Sequence, residues 1–147
     1  MHPTAVFVME KEGEIQIEFY PEDAPRTVAS FLALAKKGFY DGLTFHRVVP
    51  GFVAQGGDPK GDGTGGPGHT LKAEFNARRH VRGTVAMARR QDPDSAGSQF
   101  YICFAPAPHL DGHYTVFGQV VSGMDIVDRI KVGDRMKRVR VEEPATP

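Results

Sequence analysis

The sequence is short of three things: cysteine, net charge and long apolar runs. Cys103 is the only cysteine, so no internal disulfide can form. Lys plus Arg and Asp plus Glu each number 18, giving a formal net charge of zero. A neutral chain has no global field to draw nucleic acid or an anionic membrane. The arginines Arg78, Arg79, Arg82, Arg89 and Arg90 could still make a local basic patch. No apolar stretch approaches about 20 residues, so no membrane-spanning helix is expected. The opening MHPTAVFVMEKEGEIQ lacks the basic segment, apolar stretch and cleavage site of a secretory signal. Together these absences point to the cytoplasm.

A fourth absence concerns chemistry. The run FHRVVPGFVAQGGD, residues 45–58, sets the cation Arg47 close to the apolar ring of Phe52 and the amide of Gln55. It holds no obvious nucleophile and no cluster of acids. Chemistry done there works by holding and polarising a substrate, not by bonding to it.

What is present fits one domain spanning 1–147, with a sizeable core. AVFVM, EKEGE and IQIEFY predict a β-hairpin turned at Gly13, with Ile15, Ile17 and Phe19 alternating against polar neighbours. Residues 25–37 predict a helix, with Pro25 in its first turn, Asp23 as cap and Gly38 as its stop. Val28, Phe31, Leu32 and Ala35 form its apolar stripe. A β pattern returns over 44–57, broken at Pro50-Gly51. Residues 58–70 are a long Gly/Pro-rich loop, of the kind that is usually functional or mobile.

Further strands are predicted at 83–88, 98–104, 114–121 and 135–141, with a turn at 109–113. A short helix is predicted over 122–130, capped by Ser122, with Met124, Ile126, Val127 and Ile130 inward. The final EEPATP is expected to fray. About eight strands and two distant helices do not alternate as parallel βαβ units require. An antiparallel barrel or sandwich with helices against its open ends fits better.

Individual residues leave alternatives. In SQFYICF, Phe100, Ile102 and Phe104 share a core face, while Gln99, Tyr101 and Cys103 share the other. That second face is either a binding floor or an aromatic covered by a loop. Arg47 is either a solvated strand residue or part of a pocket with Phe52, Val53 and Gln55. Strict alternation separates Phe52 from Gln55, so a shared pocket needs a bend near Pro50-Gly51 or Gly56-Gly57. His46 reads as a general base or, by default, as a structural histidine bonded to backbone.

GDGTGGPG lacks the spacing of a phosphate loop and reads as a surface loop. His109 and His113 have a zinc-like spacing, but Asp111-Gly112 breaks a helix there and no third ligand is near. Cys103 reads as a small hydrophobe.

Four motifs, FHRVVPGFVAQGGD, GDGTGG, GSQFYI and LDGHYTVFGQVV, resemble in order and spacing the cyclophilin family of peptidyl-prolyl cis–trans isomerases. The likeness covers nearly the whole chain. MARRQDPDSAGSQFYI and the short length resemble the compact bacterial branch. The resemblance implies a closed eight-stranded antiparallel β-barrel capped by two α-helices, with the site on its outer face. It implies Arg47 as catalytic arginine, His46 before it and Gln55 orienting it. Phe52, Val53, Tyr101, Leu110 and Tyr114 become walls or floor of a proline pocket, which Phe117 could join.

Gly63, Gln99 and the backbone at Ala88 and Arg89 become substrate contacts. His109 stands where many members have the Trp linked to cyclosporin binding, so weakened cyclosporin binding is expected. Val53, Tyr101 and Tyr114 replace Met, Phe and His of well-known members. The implied partners are proline-containing peptides and unfolded or partly folded proteins. A monomer is expected, with no cofactor, metal, nucleic acid or membrane. The contrasting reading is a proline-peptide binding module without turnover.

Overall fold

The computed structural model describes residues 2–143. The alternating segments form eight strands: β1 (Thr4–Met9), β2 (Glu14–Phe19), β3 (Arg47–Val49), β4 (Val53–Gly56), β5 (Thr84–Met87), β6 (Phe100–Cys103), β7 (Val116–Ser122) and β8 (Met136–Glu142). They make one antiparallel sheet in the order β3-β4-β6-β5-β7-β2-β1-β8. Two helices accompany it, α1 (Pro25–Lys36) and α2 (Met124–Val127).

The sheet curls but does not close strand to strand. Its outer strands β3 and β8 do not pair; a short bridge between Thr44 and Arg135 joins the segments beside them. Backbone bonds from Phe45 N–H to the Asp134 carbonyl and from Met136 N–H to the Leu43 carbonyl complete the seam. The expected closed barrel is therefore a curled sheet with a stitched edge. The short β3 limits how far a ladder can run there.

Inside the curl, rings pack on rings. Phe31 of α1 lies 4.6 Å from Tyr40, 5.1 Å from Phe19 and 5.7 Å from Phe100, centroid to centroid. Phe117 stacks on Phe19 at 5.8 Å and is fully buried in this core. Its expected place in the outer pocket is thus incorrect. In β7 it is Val116 that faces outward, and a register shift between Val85 and Ala86 displaces the pairing beside it.

Both predicted helix caps fail. The residue before α1 is Ala24, with no side-chain cap, and Asp23 instead pairs with Arg78. The N–H groups of Arg26 and Thr27 donate to the Glu74 carboxylate, so the cap comes from a distant loop. Ser122 ends β7, and α2 is only four residues, entered through Gly123. Val127 and Ile130 are buried as expected, and Met124 and Ile126 pack against the core partly exposed. From residue 144 onward, the tail expected to fray lies outside the described residues.

Candidate active site

β5 and β6 have two apolar faces. Phe100 and Ile102 point into the main core, while Tyr101 and Cys103 join Val53, Ala86 and Val116 in a second cluster on the outer face. Phe52, Ala88, Leu110 and Tyr114 pack around it, half-buried. The result is a cleft of about 190 Å³ bordered by Arg47, Phe52, Val53, Gln55, Ala88, Arg89, Tyr101, Leu110 and Tyr114. Drug-sized pockets run about 300–1,000 Å³, so this one suits a single side chain.

The bend that alternation demanded lies between β3 and β4. Phe52 N–H donates to the Val49 carbonyl at 3.0 Å, and Gly51 takes φ +73° in the turn. Phe52 sits in the turn, not in the strand, which lets it share a cleft with Gln55. Arg47 and Gln55 then fall directly opposite each other in the β3–β4 ladder.

A chain of side-chain amides fixes the arginine. Arg47 Nη1 donates to Gln55 Oε1 at 3.2 Å, and Gln55 Nε2 donates to Gln99 Oε1 at 3.0 Å. Gln99 Nε2 donates to the carbonyls of Gly63 and Gly65 at 3.1 and 3.0 Å. Those carbonyls only accept, so every amide orientation in the chain follows from its loop end.

The loop end has its own anchor, Asp58, which the sequence did not single out. Its buried carboxylate accepts the N–H groups of Lys60 (2.8 Å), Asp62 (3.1 Å) and Gly63 (2.5 Å). Burial pushes this carboxyl up, but the backbone donors together outweigh burial and hold it below the ordinary value. They also dispose of the phosphate reading: the inward N–H groups already hold a carboxylate. Gly57 just before it has φ +93°, and a Cβ there would lie 2.6 Å from the Ser98 carbonyl. Only glycine fits that crossing.

His46 is half-buried, but its Nδ1 has no protein partner among the described residues, so the expected backbone bond is absent. Its Nε2 faces Gly63, where an added Cβ would lie 3.7 Å away. His109 stacks on Phe52 at 5.7 Å, extending the cleft's rim. Arg89 does more with its side chain than expected. It donates to the His113 carbonyl through Nε and Nη2 at 3.1 and 2.8 Å and sits 4.6 Å from the centre of the Tyr114 ring, bracing that wall.

Arg78 and Arg82 pair with acids, so the five arginines do not form one free patch. Cys103 is buried, and burial pushes its thiol up to about 12, far from a reactive thiolate. The Tyr101 hydroxyl finds its partner in His80, unflagged in the sequence. The signal was there: a buried Tyr needs a partner, and His80 had no role.

With this geometry established, the chain's relatives are informative. The family described as "Cyclophilin type peptidyl-prolyl cis-trans isomerase/CLD" matches residues 5–146. The chain belongs to the cyclophilin-type peptidyl-prolyl cis-trans isomerases. Peptidyl-prolyl cis-trans isomerase B of Bacillus subtilis is 54% identical over 141 residues, covering 95% of this chain and 98% of that one. A peptidyl-prolyl cis-trans isomerase of Helicobacter pylori is 52% identical over 132 residues, 87% of this chain and 80% of that one.

A crystal structure of a Cryptosporidium parvum cyclophilin type peptidyl-prolyl cis-trans isomerase superposes with TM-score 0.90 at 26% identity. It covers 99% of this chain and all of the other. The same enzyme was also crystallised in the presence of the dipeptide Ala-Pro. This cyclophilin is therefore an isomerase of X–Pro peptide bonds, and its family binds proline-containing peptides. No helix among the described residues is long and apolar enough to cross a membrane.

Proposed function

We propose that this cyclophilin turns X–Pro bonds without covalent chemistry, with Arg47 stabilising the twisted amide over the outer cleft. Amide resonance opposes rotation by about 18–20 kcal/mol. At the twisted state that resonance is lost, and the prolyl nitrogen becomes a pyramidal acceptor. A fixed cation aimed there favours the twisted state over the planar one, which is the requirement for catalysis. Arginine suits the task because it stays charged and its donors are rigidly splayed. The single observation carrying this reading is the relay from Gly63 and Gly65 through Gln99 and Gln55 to Arg47, ending at the cleft's edge.

One charge-assisted bond contributes roughly 1.5–3 kcal/mol. An acceleration of about a million needs about 8 kcal/mol. Arg47 therefore needs help. Phe52, Val53, Tyr101, Leu110 and Tyr114 hold the proline ring and exclude water. Backbone at Ala88 and Arg89, with Gly63 and Gln99, holds one side of the bond while the other rotates, and Gln55 orients Arg47. His46 lies beside the Gly63 loop.

The domain spans 1–147, works as a monomer in the cytoplasm without a cofactor, and takes proline-containing peptides and partly folded proteins. Cyclosporin binds it weakly, because His109 offers less ring area than Trp. In a protease-coupled peptide assay, Arg47→Ala loses about 10²–10³ of kcat/KM, the scale for one preorganised donor. Near-normal turnover would remove Arg47 from the mechanism. Peptide binding with no acceleration by the unmodified protein would leave a binding module.

A further inference from the structure

Directly behind the cleft lies a polar triplet, of which the mechanism above uses only the Tyr101 ring; His80 and Tyr101 are buried and Asp111 is partly exposed. The His80 side chain is fully buried. Its Nδ1 lies 2.9 Å from Asp111 Oδ1, and its Nε2 lies 2.8 Å from the Tyr101 hydroxyl. Asp111 follows Leu110, which borders the cleft, and Tyr101 is only 5% exposed beneath it. His80 grips the 107–111 turn by its backbone as well. Its N–H donates to Asp111 Oδ1 at 2.6 Å, and its carbonyl accepts the Ala107 N–H at 3.0 Å.

We propose that His80 is a positioning residue for isomerisation, locking the cleft's floor, Tyr101, to the turn that carries Leu110 and His109. The inference rests on the reading of the outer cleft as the proline site. The bonding pattern admits one neutral arrangement. An ionised carboxylate accepts Nδ1–H, so Nε2 carries the lone pair and Tyr101 O–H donates to it. The Tyr101 ring then lies nearly parallel to the imidazole, with 14° between planes, and edge-on to Tyr114 at 5.8 Å. Floor, lip and one wall move as a unit.

The same arrangement makes the lock proton-sensitive. Adding a proton to Nε2 turns an acceptor into a donor facing the Tyr101 hydroxyl, which must then accept and leaves its own proton without a side-chain or backbone partner among the described residues. The charged and titratable neighbours are Asp111 and His109 on the turn, Arg79 beside His80, Cys103 on β6, Tyr114 before β7 and Arg89 after β5. Burial lowers the affinity of His80 for its proton, and the bond to Asp111 only partly offsets this. The ring is thus neutral near pH 7, and protonation comes below the ordinary histidine value of about 6.5.

The test follows KM and kcat for an X–Pro peptide from about pH 8 to about pH 4.5, with His80 titration read by ring NMR. In the unmodified protein, KM should rise about three- to tenfold as His80 gains its proton, the effect of one lost hydrogen bond, with kcat little changed. Tyr101→Phe keeps the ring floor but removes the hydroxyl. That variant should show a raised KM at pH 8 and lose the part of the acid rise that tracks His80. An identical acid rise in Tyr101→Phe, or a flat KM while His80 titrates, would overturn the proposal. Leu110→Ala, measured alongside, separates the two readings. Unchanged KM there would take down the cleft and this inference with it. A raised KM there with no Tyr101→Phe difference would take down the inference alone.

Discussion

The core within the curled sheet and the cleft on its outer face are built from the same strands, yet packed to different ends. On β6, Phe100 and Ile102 point inward and Tyr101 and Cys103 outward, and all four are buried. The inner face is saturated with rings: Phe100 alone meets Phe7, Phe31, Tyr40 and Phe45 within 6.0 Å. The outer cluster stops short of saturation and keeps a cleft of about 190 Å³. Its aromatic floor carries a polar handle tied down behind. The difference teaches a division of labour: inner contacts set stability, and outer contacts hold a vacancy in shape for a guest.

The contrast predicts opposite phenotypes for neighbouring residues. The largest effect belongs to the inner face. Phe100→Ala should cost about 3–5 kcal/mol, the range for a buried ring cut to a methyl, and lower Tm by roughly 10–15 °C. Calorimetry checks it. Arg47→Ala on the outer side should leave Tm within a few degrees, because an exposed arginine contributes little to folding. If both variants lost stability alike, the division would fail.

Much of this contrast is legible in the sequence, because period two sorts Phe100 and Ile102 from Tyr101 and Cys103 without a structure. Arg47, Phe52 and Gln55 are legible for another reason: they lie within nine residues of chain, joined by one tight turn. What escapes is whatever depends on distant partners. Glu74 caps α1 from 47 residues away, and His80 meets Asp111 across 31. Local rules named Asp23 and Ser122 as caps because those rules see only neighbours. Phe117 lies in the core because Tyr114 and Val116 take the outward places, the order that period two itself gives, and a pocket assigned by resemblance alone overrides that order wrongly.

The relay that aims Arg47 offers a smaller effect that sharpens the comparison. Gln55→Ala removes the acceptor holding Arg47 Nη1 and also frees Gln99. A loss of about tenfold in kcat, with KM and Tm nearly unchanged, is expected from one hydrogen bond that acts by orientation. Steady-state kinetics decide it. A rise in KM with normal kcat would make Gln55 a binding residue.

The smallest effect comes from the relay's far end. Asp58→Asn keeps one carbonyl oxygen but turns the other into a donor facing the N–H groups of Asp62 and Gly63. The loop loosens, and kcat/KM falls only about two- to fivefold, because Gln55 still holds Arg47. The pH dependence gives a cleaner reading. The folded carboxyl of Asp58 is held below its ordinary value, so its stabilising contribution is full above about pH 4, the unfolded carboxylate value. That contribution is lost as pH falls through the lower folded value. Amide exchange at Gly63 and Gly65 should therefore quicken in strong acid in the unmodified protein, after correction for intrinsic rates. In Asp58→Asn it should already be fast at neutral pH and show no such acid step. Equal protection in both proteins would detach the loop from Asp58, and leave Arg47 aimed by its strand and Gln55 alone.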